Sequence, residues 1–155
     1  MEYMAFEEFV EKVKKEKPIL FELEHDEIPD EKSVKMFQKE NNVKLPKKYC
    51  DFLMGFGGGY FGFINIYSID KQSNFYIMSN QSCVPDHYLA IADNGCGDCY
   101  VLLKNSDCIE KIYLLEHESC KLYEMAHDIL EFLVKYGLRK ELWGMLHIQK
   151  MRRIL

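Results

Sequence analysis

Phe6, Phe9, Val10 and Val13 stand at i, i+3, i+4 and i+7, which predicts an amphipathic helix from Ala5 to about Lys15 that stops before Pro18. Ile19 to Leu23 reads as a short extended piece. A second helix follows Ile28-Pro29-Asp30, with Asp30 near its N-cap, Val34 and Phe37 on its inner face and Asn41-Asn42 as its stop. Pro46 opens a third helix, because its fixed φ suits the first helical position. Tyr49, Phe52, Leu53 and Phe56 give that helix one apolar stripe, Lys47 and Lys48 face water, and Gly57-Gly58-Gly59 ends it.

Beyond the glycines the period changes from helical to alternating. Tyr60 to Ile69 is aromatic and β-branched enough for one strand, with a bulge or bend where the alternation slips between Phe63 and Ile64. Phe75 to Met78 is a weaker strand. Tyr88 to Ala92, Tyr100 to Leu103 and Ile112 to Leu115 form three more, separated by turn signals at Asp93-Asn94-Gly95 and Asn105-Ser106-Asp107, and imply an antiparallel meander. Ala126, Ile129, Leu130, Leu133 and Val134 mark a helix closed by Gly137, and Leu138, Leu142, Met145 and Leu146 mark a last one. Helices, then strands, then helices read as α+β: one domain, a predominantly antiparallel sheet packed with helices. Residues 1–137 form its body and residues 138–155 a basic helical extension packed on it.

Composition narrows the function classes. The chain has 155 residues, 48% apolar and 29% charged, with 9 Gly and 4 Pro, enough for one full core and unlike a disordered or fibrous chain. Its formal charge is −5, which argues against a general nucleic-acid coat. The charge is uneven: Met1 to Val134 carries 24 acids and 14 bases, whereas Lys135 to Leu155 holds six bases against Glu141 alone. The densest acidic run, Asp86 to Glu131, has ten acids offset by Lys104, Lys111 and Lys121, and would project a negative field. No basic n-region with an apolar run opens the chain and the long uncharged stretch Phe52 to Ile69 is glycine-rich, so a cytoplasmic protein without a membrane span is expected.

Candidate chemistry is sparse. Cys96-Gly97-Asp98-Cys99 is a CxxC, but a strand follows it where a redox thiol would want a helix N-terminus, and Cys108 and Cys120 supply no second CxxC for zinc. The six cysteines are expected to be free thiols. Gly95-Cys96-Gly97 lacks the pattern of a phosphate loop, and Asp93 and Asp98 read as acids on a hairpin turn. His117 ends a strand outside any HExxH, and His127, with Glu124, Asp128 and Glu131 at helical spacing, reads as a solvated helix face. No catalytic apparatus, cofactor or metal is expected.

Two passages carry a family resemblance, LPKKYCDFLMGFGGG at Leu45 to Gly59 and YLAIADNGCGDCYVLL at Tyr88 to Leu103. They resemble the SUKH superfamily of Smi/Knr-like domains in the Leu45-Pro46 opening, Tyr49, Phe52-Leu53, the pair Gly58-Gly59 and the later Gly97-Asp98. A closing helix with Ala126 and Phe132-Leu133 fits too. The cysteines within both motifs, Cys50, Cys96 and Cys99, and the long basic tail depart from the family's pattern. The resemblance implies a single α+β domain and, for bacterial members, immunity proteins that bind and neutralise a cognate toxin, often a nuclease; fungal members regulate cell-wall assembly. On this reading an acidic protein is steered to a basic toxin cleft and locks there by aromatic anchors. The expected protein-binding residues are Tyr60, Asp93, Asp98, Tyr100, Glu116 and Glu118, with direct contact to neither nucleic acid nor membrane. The rivals are a regulatory adaptor in a cell-wall or signalling assembly and a thiol- or zinc-dependent protein using Cys96 and Cys99.

Overall fold

In a computed structural model, which describes residues 1–104 and 109–138, the first apolar stripe becomes helix α1, Tyr3–Glu16, burying Phe6, Val10 and Val13. Pro18–Phe21 is a single 3-10 turn and not the extended piece that its apolar run suggests. Proline at the first turn position sets a helical φ, and the extended backbone comes later, where His25 bridges Gly59. Helix α2, Glu31–Asn41, starts on Asp30, whose side chain accepts a 2.7 Å bond from the Ser33 amide, and stops at Asn42 in the left-handed conformation. Helix α3, Lys47–Phe56, has Pro46 as its N-cap, one position earlier than expected.

The glycines after α3 are forced by a close crossing. The segment before α2 runs across them, with the Asp26 amide donating to the Gly58 carbonyl at 2.8 Å. Gly57 has φ +69, and a Cβ there would lie 2.5 Å from the Asp26 carbonyl oxygen. A Cβ on Gly58 would overlap the side chain of buried Ser68. Only a chain without side chains passes here.

The stretch expected as one bulged strand is a hairpin: β1, Gly59–Phe61, and β2, Ile64–Ile66, pair antiparallel. Its turn holds Gly62 at φ +59, and the Phe63 amide donates to the Gly137 carbonyl at 2.9 Å. The strand expected at Phe75 to Met78 is likewise absent; Tyr76 makes one bridge to Ser68 and Ile77–Asn80 is a 3-10 turn. Gln81 then takes the place of a strand, its amide accepting from and donating to the Ala90 backbone at 2.9 and 2.8 Å.

Strands β3 (Tyr88–Asp93), β4 (Cys99–Leu103) and β5 (Ile112–Leu115) form the expected meander. A sixth, β6, Leu122–Ala126, was not apparent in the pattern, and Ala126 belongs to it rather than to a helix. The six strands lie in chain order, every neighbouring pair antiparallel. Helix α4, Ile129–Phe132, starts after Asp128, which accepts from the Glu131 amide at 2.8 Å, and it continues as a π-turn through Gly137. The expected last helix, apart from buried Leu138, and the turn at Asn105-Ser106-Asp107 lie outside the described residues.

The registers divide the sheet into two faces, since cross-strand partners share a face and successive residues alternate. Gly59, Ile66, Ala92, Tyr100 and Leu114 form one row. That face meets the helices: Tyr100 lies 4.6 Å from Phe132 between ring centroids, and Phe61 lies 5.1 Å from Phe52. Tyr60, Asn65, Asp93, Cys99 and Leu115 form the other row.

Candidate protein-binding face at the acidic turns

Two hairpin turns meet at one end of the sheet. The β3–β4 turn is tightened by side chains: the Gly95 amide donates to Asp93 Oδ1 and the Cys96 amide to Asn94 Oδ1, both at 2.8 Å, as Asp and Asn do when they mimic a backbone turn. Asn65 of β2 holds the same Asp93 oxygen from the neighbouring strand at 2.8 Å. Gly95 and Gly97 take φ of +72 and +99. The β5–β6 turn closes through the Cys120 amide on the Glu116 carbonyl and the Glu116 amide on that of Lys121.

His117 fastens one turn to the other. Its amide and its Nδ1 both approach Asp98 Oδ1, at 3.1 and 2.7 Å, while Asn94 donates to Asp98 Oδ2 at 3.2 Å. The imidazole packs over Gly97, where a Cβ would sit 3.3 Å from Nδ1. Burial pushes the Asp98 carboxyl up, but the bonds from His117 and Asn94 outweigh it and hold the group below its ordinary value. The bond to Asp98 raises the His117 imidazole above its ordinary value, with Glu118 and Glu116 adding to the rise. Glu118 projects into water, 3.9 Å from His117 Nε2, and Ser119 bonds the Glu116 carboxylate.

The four acids expected to bind a partner, Asp93, Asp98, Glu116 and Glu118, are therefore brought together, although Asp93 and Asp98 also build the turns. Tyr60 is 45% exposed, its ring 5.0 Å from that of Phe75. It shares the sheet face of Asp93 two strands away, about 10 Å at ordinary strand spacing. Tyr100 is corrected: it is 0% exposed and packs on Phe132. One residue past Cys99 it points to the opposite face, so it belongs to the core.

Two sequence features, Lys48 and His127, sit in unexpected places. Lys48 does not face water; it lies 2.8 Å from the buried carboxylate of Asp128, which also receives the Met1 amine at 2.7 Å. Burial pushes Asp128 up, and the bonds from Lys48 and that amine more than reverse it. His127 is on no helix; it sits in the bend before α4, its amide bonded to Glu131 at 2.9 Å. Cys96 is exposed and Cys99 is buried on β4, its thiol pushed up by burial and by the nearby Cys83 and Asp93. Burial likewise pushes Cys50 up to about 11, so both lack the thiolate character of a reactive cysteine. Among the described residues no three His, Cys, Asp or Glu side chains are grouped to hold a metal, and no helix is long and apolar enough to cross a membrane.

Residues 31–133, more than half of the chain, match the SUKH_6 family, described as SMI1-KNR4 cell-wall. The chain belongs to the SUKH family. Among solved structures, this SUKH domain is similar to a protein from Pseudomonas syringae pv. tomato, with a TM-score of 0.59 at 18% identity over 83% of this chain and 98% of that one. At that identity the likeness shows the fold. No curated protein matches the chain. Members of the family are generally immunity or regulatory proteins without enzymatic activity, and membership supports a toxin-immunity or SMI1/KNR4-like role in general.

Proposed function

We propose that this SUKH protein is a cytoplasmic, non-enzymatic immunity protein that captures a cognate toxin, a nuclease with a basic cleft, and neutralises it by occlusion. The observation that carries the reading is the gathering of Asp93, Asp98, Glu116 and Glu118 on two turns pinned together by His117, on a sheet end that also presents Tyr60. A rigid cluster of carboxylates speeds encounter with a basic partner, and Tyr60 supplies an exposed ring for the locked complex. The carboxylates mimic the phosphates a nuclease cleft is built to hold. The family description favours a second reading, a regulatory adaptor of cell-wall synthesis.

Asp93 and Asp98 accept backbone bonds that shape the turns, whereas among the described residues the Glu116 carboxylate accepts from the Ser119 hydroxyl alone and Glu118 projects into water, so the test uses this second pair. Glu116→Lys with Glu118→Lys is expected to slow association with the toxin domain encoded beside the gene, flatten its salt dependence and weaken protection of cells expressing it. Unchanged association and protection would remove the acidic turns from the interface. Absence of any complex between the wild-type protein and neighbouring toxin domains would leave the adaptor reading in possession.

A further inference from the structure

A second feature of the surface has no part in the acidic turns. Helix α2 buries Val34 and Phe37, yet Met36 points away from that stripe and is 51% exposed, with Ser33 and Glu40 beside it at helical spacing. Across from it stand Ile28, 44% exposed, and Ile69, and together they line a groove of about 500 Å³ between the start of α2 and the bend at Asp70–Gln72. Four carboxylates rim this groove, Glu27, Asp30, Glu40 and Asp70, against one cation, Lys71, which lies 3.5 Å from Glu40. Two of the carboxylates are held in place by backbone donors: Asp30 accepts from the Ser33 amide at 2.7 Å, and Asp70 from the amides of Gln72 and Glu27 at 2.9 and 3.4 Å.

We propose that this groove is a docking surface for a basic amphipathic segment of a protein partner. An apolar floor inside an anionic rim matches side chains with a greasy stem and a cationic head: Lys and Arg stems lie along Met36 and Ile28 while their charges reach the rim. Methionine suits such a floor because its unbranched thioether repacks around different side chains. The rim repels phosphates, which disfavours nucleic acid as the occupant. On the proposed function the segment belongs to the toxin; the groove's preference for it does not depend on that identity, so the two are tested separately.

The probe is a fluorescein-labelled peptide of about 15 residues, long enough to form a helix on binding, with leucine and lysine in amphipathic order. It is titrated with the full chain by fluorescence anisotropy beside a leucine/glutamate peptide and an oligolysine of the same length. The leucine/lysine peptide is expected to bind saturably. Met36→Lys and Glu40→Lys are each expected to weaken it about tenfold or more, as removal of an interface anchor does, and Glu116→Lys with Glu118→Lys to leave it unchanged. Both groove positions are exposed on a helix that lysine suits, and the far-ultraviolet circular dichroism of the variants checks the fold. No saturable binding, equal binding of oligolysine, unchanged affinity in both groove variants, or equal loss in the Glu116/Glu118 variant would overturn the proposal. Displacement of the probe by a peptide of residues 139–155 at lower concentration than unlabelled probe would assign the groove to this chain's own basic end and overturn the partner assignment. Retained peptide binding together with no toxin complex would refute the proposed function and leave the groove standing.

Discussion

Replacing Gly57 by alanine tests the crossing that shapes the exit from α3. Gly57 combines φ +69 with ψ −170, a region that is essentially glycine's alone and costs other residues about 1–3 kcal/mol. The new Cβ would also lie 2.5 Å from the Asp26 carbonyl oxygen, and because that atom is backbone fixed by the Asp26–Gly58 hydrogen bond, the overlap cannot be relieved by a rotamer change. Overpacking of this kind adds about 1–3 kcal/mol. The expected loss is therefore about 2–6 kcal/mol, a large part of the stability of an ordinary domain, and a fall in Tm of roughly 4–24 °C at about 2–4 °C per kcal/mol for a chain of this size. Gly95→Ala provides the comparison: φ there is +72, but the nearest atom to a new Cβ, Asn65 Nδ2, is 3.9 Å away, so only the left-handed backbone term of about 1 kcal/mol applies. Urea titration of both variants measures the difference through the midpoint at constant slope. If Gly57→Ala loses no more than Gly95→Ala, the crossing is not a tight contact and the account of the glycine exit is wrong.

Further expectations concern charge, burial and thiols. His117 has a raised pKa in the folded state, so its link to Asp98 stabilises fully below the unfolded value near 6.5 and fades as pH rises through the folded value. Asp98 is depressed, so its share is present above about 4 and fades as pH falls; the stability gap between wild type and His117→Gln should peak near pH 5–6 and shrink by pH 8.5 in urea titrations, and a pH-independent gap would refute the link. Lys48→Met is expected to cost about 1–3 kcal/mol by leaving the Asp128 carboxylate buried and short of a partner, against a negligible change for Lys47→Met at its exposed pair with Asp51; thermal melts of the two variants decide. Tyr49→Phe removes the 2.7 Å bond from a buried hydroxyl to the Tyr67 carbonyl and should cost about 1 kcal/mol in the same assay. With a thiol reagent at pH 8, Cys83, Cys96 and Cys120 should react quickly, and Cys99 and Cys50 only slowly; rapid reaction of Cys99 would contradict its burial.

Elements whose signal is local were legible in the chain itself. The stripes of α1, α2 and α3 repeat at the helical period, Asp30 caps the next turn, Asn42 and Gly57 accept left-handed backbone, and the apolar runs beginning at Tyr88, Tyr100 and Ile112 each lie in a strand, because these preferences are settled between residues a few positions apart. The segment Asp128-Ile129-Leu130-Glu131 also carried a readable capping signal that would have moved the start of α4 and released Ala126 to a strand. Contacts between distant residues lie beyond such a reading. Whether Tyr60 to Ile69 bends or folds back was decided by Gly137, which takes the Phe63 amide from the other end of the domain, and Leu122–Ala126 is a strand because β5 offers it a ladder. The acids at Asp93 and Asp98 were visible as charge, but their fastening by His117 and the loss of Tyr100 to the core follow from register: shifting one residue along a strand reverses the face, and only the paired sheet says which residue stands opposite which.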